Sequence, residues 1–190
     1  MLCAIIATVL SIVAFVPYNW MNLAGGIKPN ISSWLVWTSI TFLNFTNIRE
    51  VTGEKEKKSW VKSLMPMVDF WLCIITVICT IRTGSLKALN QVDQVCLLLG
   101  TSAAIVWRIY KSPQFAQVLV QGALIIGGIP TIVGLWHDSS KEPWISWFLW
   151  TVGFVFQFYA VKLTWKKRIE FLYPVGMVIF HALIFILAVR

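Results

Sequence analysis

Charge is scarce in this chain. Asp, Glu, Lys and Arg make up 13% of its 190 residues, about half the share of a soluble domain, and the mean hydropathy is +0.75. So little charge cannot clothe a water-soluble surface. Acids are scarcer than bases, with 8 Asp and Glu against 16 Lys and Arg. In a membrane setting that excess reads as loop charge beside anionic lipid, and nucleic acid is not expected as a partner. Only two histidines are present, His137 and His181, and the four cysteines (Cys3, Cys73, Cys79, Cys96) sit in apolar runs without ligand spacing. They read as free thiols packed among helices, and neither a metal nor a cofactor is expected. HExxH, Gly-x-Ser-x-Gly and a phosphate-binding Walker loop are all missing, so no enzyme is expected. No lysine lies between Phe171 and Val189, which excludes a retinal Schiff base in the last span. No basic residue precedes the apolar run from Leu2, so this run reads as a retained first span and not as a secretory signal.

What the chain has in abundance is long apolar stretches, of the length that crosses about 30 Å of hydrocarbon. They predict an all-α integral membrane protein with seven transmembrane helices, over about 2–24, 32–47, 63–81, 92–110, 115–136, 144–163 and 169–189. Ser32 or Ser33 is expected to cap the second. Polar segments separate the spans, the most charged being Arg49–Lys62. Eleven tryptophans are present, several near span ends (Trp20, Trp60, Trp107, Trp136, Trp165), where indoles anchor helices at the membrane surface.

The chain also repeats itself. Ser33-Trp34-Leu35-Val36-Trp37-Thr38 returns as Ser146-Trp147-Phe148-Leu149-Trp150-Thr151, an offset of 113 that also carries Pro17 to Pro130 and Lys28 to Lys141. Seven of 31 positions agree between 17–47 and 130–160, four of them in that one window. An offset of 108 then brings Met65-Pro66 onto Tyr173-Pro174, Asp69 onto Met177 and Cys73 onto His181. The organisation expected is 3+1+3: a first three-helix repeat over 1–82, a linker helix with its loops over 83–114, and a second repeat over 115–190. An odd linker span leaves the two triplets parallel, and solute sites in such proteins lie at the repeat interface. Loops on the amino-terminal side hold eleven basic residues against five on the other, so the amino terminus is expected in the cytoplasm.

A helix with a proline near its end, a short polar loop with Lys, and then Ser and Trp opening the next helix, all duplicated around a linker, resembles the PQ-loop superfamily of SWEET-like (MtN3-type) transporters. The family's Pro-Gln reads here as Pro17-Tyr18 and Pro130-Thr131. The resemblance implies alternating access between the two triplets, with Pro17 and Pro130 as hinges; a static kink is the plainer role for each.

The residues themselves suggest where a solute sits. Trp34, Trp37, Trp147 and Trp150 would build a flat-walled pocket for a ring-shaped or polar molecule, with Trp34 and Trp147 alternatively serving as surface anchors. Asn44 and Gln157 align between repeats as amides for a solute, or for a neighbouring helix. Asp69, an acid inside a span, is the candidate for proton coupling, its plainer role being a hydrogen bond to an adjacent helix. The function expected is a small secondary transporter or facilitator. A non-transporting receptor or structural subunit on the same scaffold is the alternative. Membrane lipid and a small-molecule solute are the partners expected, with self-association left open.

Overall fold

The computed structural model describes residues 1–52, 59–83, 91–110, 113–163 and 168–190; within them, the side chains of 47–52, 59–62, 100–101, 103–104, 107–108, 113–114, 116–117 and 168–169 are not described. Part of the loop charge used for orientation, Lys55, Lys57, Lys58, Lys87, Lys111, Lys166 and Lys167, lies outside the described residues.

Every regular element among the described residues is helical. The helices are α1 (Leu2–Leu23), α2 (Ile31–Thr52), α3 (Ser59–Arg82), α4 (Gln91–Tyr110), α5 (Pro113–His137), α6 (Trp144–Leu163) and α7 (Leu172–Ala188). Short 3-10 turns, Ser139–Lys141 and Arg168–Phe171, precede the last two. Four stretches are long and apolar enough to cross a membrane: Leu2–Leu23, Ser63–Arg82, Val118–His137 and Trp144–Leu163. The span of α7 is apolar but shorter, at 17 residues. Expected spans in α2 and α4 carry more polar groups: Ser32, Ser33, Thr38, Ser39, Thr41 and Asn44 in one, Gln91, Asp93 and Gln94 in the other.

The distribution of side chains in α1 is the reverse of a soluble helix. Ile5, Val9, Ile12, Val16 and Trp20 are exposed, at spacings of three and four that keep them on one face. The buried face holds Ala4, Ala7, Thr8, Ser11 and Ala14. Large apolar groups outward and small or hydroxyl-bearing groups inward suit a helix solvated by lipid, because lipid tails offer no gain for burying leucine and close packing must come from small residues. Such a pattern, with the four long apolar helices, fits an integral membrane protein.

Small residues set the helix contacts. Gly153 of α6 approaches α1 so closely that a Cβ there would lie 3.3 Å from the Ala7 carbonyl oxygen. In α5, Gly127 admits Val36 and Gly128 admits the Phe180 ring. Main contacts pair α1 with α6 and α3, α2 with α3, α4 and α5, α5 with α4 and α7, and α6 with α7. Exchanging α1 with α5, α2 with α6 and α3 with α7 converts α1–α6 into α5–α2, α2–α3 into α6–α7, and α1–α3 into α5–α7. All six pairs are present.

Several termini differ from the sequence reading: α2 runs about five residues further, to Thr52, and α3 begins about four earlier, at Ser59. The second helix is capped by Asn30 and not by a serine: the Asn30 side-chain oxygen accepts from the Ser33 amide at 3.1 Å. Ser32 and Ser33 are spent elsewhere, Ser32 donating to Asp93 of α4 at 3.1 Å and Ser33 accepting from Thr131 of α5 at 3.1 Å. The last helix begins at Leu172, three residues later than expected, because Arg168–Phe171 is wound as a 3-10 turn. The first helix closes on Gly25 at φ 74, a left-handed position open to glycine, with the Gly26 amide reaching back to the Met21 carbonyl at 2.9 Å.

Gly128 and Gly122 offer a matched test. A Cβ at Gly128 would meet the Phe180 ring at 2.2 Å, whereas at Gly122 nothing lies within 4 Å. Gly128→Ala is expected to destabilise the protein by about 1–3 kcal/mol, and Gly122→Ala to be neutral or stabilising by up to about 1 kcal/mol. Thermal unfolding of the two variants in one detergent checks this, and equal melting temperatures would contradict the packing described.

Candidate solute cavity

Four tryptophans close a ring at the centre of the bundle. Within the first copy of the motif Trp34 and Trp37 stand edge to face at 5.0 Å between centroids, and within the second Trp147 and Trp150 do the same at 5.0 Å. Across the copies Trp37 meets Trp147 at 5.7 Å and Trp34 meets Trp150 at 6.1 Å. Each edge-to-face pair adds about 0.5–1.5 kcal/mol beyond its buried area. The motif's threonines act alike in both copies: Thr38 donates to the Trp34 carbonyl and Thr151 to the Trp147 carbonyl, each at 2.7 Å. The indoles follow from the sequence spacing, since residues three apart share a helix face.

The ring borders a cavity of about 40 Å³. Trp34, Trp37, Ile40 and Thr41 line it from α2, and Trp147, Trp150 and Phe154 from α6. Asp69 and Cys73 reach it from α3, and Met177, Phe180 and His181 from α7. Phe15 of α1 and Leu124 of α5 complete the wall. Every helix but α4 contributes. Positions related by the sequence offsets face the same space: Trp34 with Trp147, Trp37 with Trp150, Thr41 with Phe154, Asp69 with Met177, Cys73 with His181. At about 10–15 Å³ per water, the volume holds roughly three waters.

The expected site residues sort into two sets. All four tryptophans and Asp69 line the cavity. Trp34 and Trp147 are 2% and 1% exposed, so both sit inside the bundle and not at its surface, where Trp20, Trp136 and Trp144 stand instead. Asn44 and Gln157 are buried but outside the lining; Asn44 lies beside the Tyr173 hydroxyl. Seven residues beyond Trp37 and Trp150, they share the direction of those indoles but stand about 10 Å further along the axis. Pro17 and Pro130 lie inside α1 and α5, and both helices continue through them.

One end of the cavity is shut by a network absent from the sequence reading. Trp34 donates its indole N–H to the Tyr18 oxygen at 3.0 Å, and Trp147 donates to Glu142 Oε2 at 3.0 Å. Tyr18 turns its own proton to the Glu142 carboxylate. The chain Trp34–Tyr18–Glu142–Trp147 thus joins α1 and α2 to the loop before α6. Thr131, which matches Tyr18 at the 113 offset, makes the reciprocal crossing by donating to Ser33. The residue after each proline therefore reaches into the other half of the chain. Only the Trp doublet signalled this in the sequence; Glu142 reads there as an ordinary loop acid. Asp69 is held by the Ser11 hydroxyl of α1, and His181 Nδ1 stands 2.7 Å from the Met177 carbonyl. Among the described residues no group of histidine, cysteine or carboxylate side chains could hold a metal, and Cys3, Cys73, Cys79 and Cys96 are free thiols.

Glu142 makes this closure sensitive to pH. Burial raises its carboxyl from an ordinary 4.5 to about 7, against the opposing effect of hydrogen bonds from Tyr18 and Trp147. A group whose folded pKa is raised holds its proton more tightly in the folded protein, so its contribution is full below about pH 4.5 and is lost as pH climbs through about 7. The loss is on the order of 3 kcal/mol. Glu142→Gln should therefore gain stability over the parent protein as the buffer is taken from about pH 5 to about pH 8. Melting curves across that range test the sign, and a difference that shrinks with rising pH would refute the burial of a strained carboxylate.

No protein-family model, curated protein or solved structure matches the chain.

Proposed function

We propose that this chain is a small secondary transporter or facilitator of PQ-loop/SWEET-like type, with its solute held in the tryptophan-walled cavity. The observation that carries the reading is the cavity's lining: both copies of the repeated motif contribute to one space, from helices on both sides of α4. The repeats would be parallel triplets, α1–α3 and α5–α7, a view favoured by the helix contacts that survive exchange of the two sets. Alternating access would then be a rocking of one triplet against the other, hinged at Pro17 and Pro130. The crossings from Tyr18 and Thr131, one residue beyond each hinge, are the contacts such a motion would break. Asn44 and Gln157 would bind the solute on its path between the cavity and the amino-terminal side of the bundle. Without an ATP-binding element, the driving force is the solute gradient or protons taken up by Asp69.

Reconstitution tests this directly. Liposomes containing the protein are expected to accumulate at least one solute from a panel of sugars, amino acids and vitamins. Trp37→Ala should lower that uptake about tenfold or more, and Asp69→Asn should abolish any dependence on an imposed pH gradient. No uptake of any panel member, with ligand-induced stabilisation unaltered in Trp37→Ala, would rule the transporter out. Orientation has its own experiment. Cysteines placed at Lys57 and Lys141 should be labelled from opposite sides, with the one at Lys57 reacting from the cytoplasm; labelling of that position from outside reverses the topology.

A further inference from the structure

The polar groups around the cavity combine acceptors with a few uncharged donors. Two of its four indole N–H donors are already spent, Trp34 on Tyr18 and Trp147 on Glu142. A third, that of Trp37, has no partner among the described residues and lies 3.5 Å from where a Cβ on Gly127 of α5 would stand. Trp150 keeps the remaining one. The Thr41 hydroxyl sits 3.0 Å from the carbonyls of both Trp37 and Thr38, so its proton is committed and its lone pairs are free. The Met177 carbonyl can only accept, so His181 Nδ1 carries the ring's proton and the neutral imidazole offers Nε2 as an acceptor. Asp69 is the one carboxylate in the lining, and its hydrogen-bond partner among the described residues is the neutral Ser11 hydroxyl. Among the described residues no lysine or arginine lines the space.

Such a wall discriminates by charge. Aromatic faces attract a cation through their quadrupoles, more strongly when water is excluded. A carboxylate buried without a counter-charge is costly and gains most from a cationic guest. A neutral polyol would find the indole donors of Trp37 and Trp150 but would leave the buried Asp69 carboxylate without a counter-charge. Resting on the proposed reading of this cavity as the solute site, we infer that the solute is a small organic cation, an alkylammonium or nitrogen-heterocyclic ion, seated between the indole faces with its charge against Asp69. Met177, opposite in the repeat, offers a soft apolar wall to the other end of the molecule.

Size-matched pairs test the charge alone. The purified full chain in detergent is titrated at about pH 8, where ordinary carboxyls are ionised. The pairs are choline with 3,3-dimethylbutan-1-ol and 1-methylpyridinium with 3-methylpyridine, with glucose as the neutral polyol. Tryptophan fluorescence and melting temperature are the readouts. At least one cation should bind about tenfold or more tightly than its neutral partner and quench the fluorescence, and Asp69→Asn should equalise the pair. Should that variant fail to fold, the ratio in the parent protein decides alone. Neutral partners or glucose binding as well as the cations, or neither cation binding, overturns the inference. If the liposome panel still shows uptake of a neutral solute, the transporter reading stands without it; if no solute is moved at all, both fall.

Discussion

The closed ring of indoles is the contact on which the rest of the bundle depends. Four rings meeting at 5.0–6.1 Å between centroids, three of the four pairs edge to face, lock α2 to α6, and these two helices share no extensive backbone contact of their own. Everything else is arranged around them. Gly127 leaves room for Val36, Gly128 for the Phe180 ring that packs on Trp37 at 5.7 Å, and Phe15 seats against Trp150 at 4.8 Å. A bundle of lipid-solvated helices has little hydrophobic gain from burying one apolar face on another. Interlocking large flat rings at the centre, with glycine and alanine between backbones, supplies the packing that water would otherwise enforce.

Several polar groups enter this interior with partners, although the Trp37 indole N–H and the Ser146 hydroxyl have none among the described residues. Asn22 of α1 donates to Thr80 of α3 at 3.0 Å, Asn30 and Ser32 meet Asp93, and Tyr18 and Trp147 meet Glu142. Several of these bonds lie where α1 ends and α2 and α6 begin, the same end as the loop bearing Glu142. That end is tied by hydrogen bonds between halves of the chain. A conformational change at this end must exchange them for water, at a net cost of about 0.5–1.5 kcal/mol per neutral bond. Such sums are small enough for a bound solute to tip the balance.

Much of the bundle was legible in the order of residues. The repeated Ser-Trp-x-x-Trp-Thr located both halves of the cavity wall, and the 108 offset placed Asp69, Cys73, Met177 and His181 on one surface. Helix existence was also plain, because apolar runs separated by charged loops leave little choice. Three things were hidden. Trp34 and Trp147, next to helix starts, look like surface anchors until Phe15 and Tyr18 of α1 and Phe180 and His181 of α7 pack over them. Asn44 and Gln157 share the right face, but a periodic pattern reports direction and not depth, and two turns of axial rise take them out of the lining. Glu142 and Tyr18 make their contact across 124 positions of sequence, and neither local propensity nor hydropathy records such a pairing. The departure from Pro-Gln at Pro17-Tyr18 was the nearest hint, since a phenol after the proline is large enough to reach the opposite loop.

The matched positions Asp69 and Met177 have one more consequence. A site assembled from two separate copies of one triplet would present identical walls, and any cargo would see the same chemistry whichever way round it entered. Joining the copies in a single chain lets each wall drift. Here one side presents a carboxylate where the other presents a thioether, with Cys73 answered by His181 in the same way. The pocket thus has a head and a tail, so a molecule with two unlike ends would seat in it in one orientation.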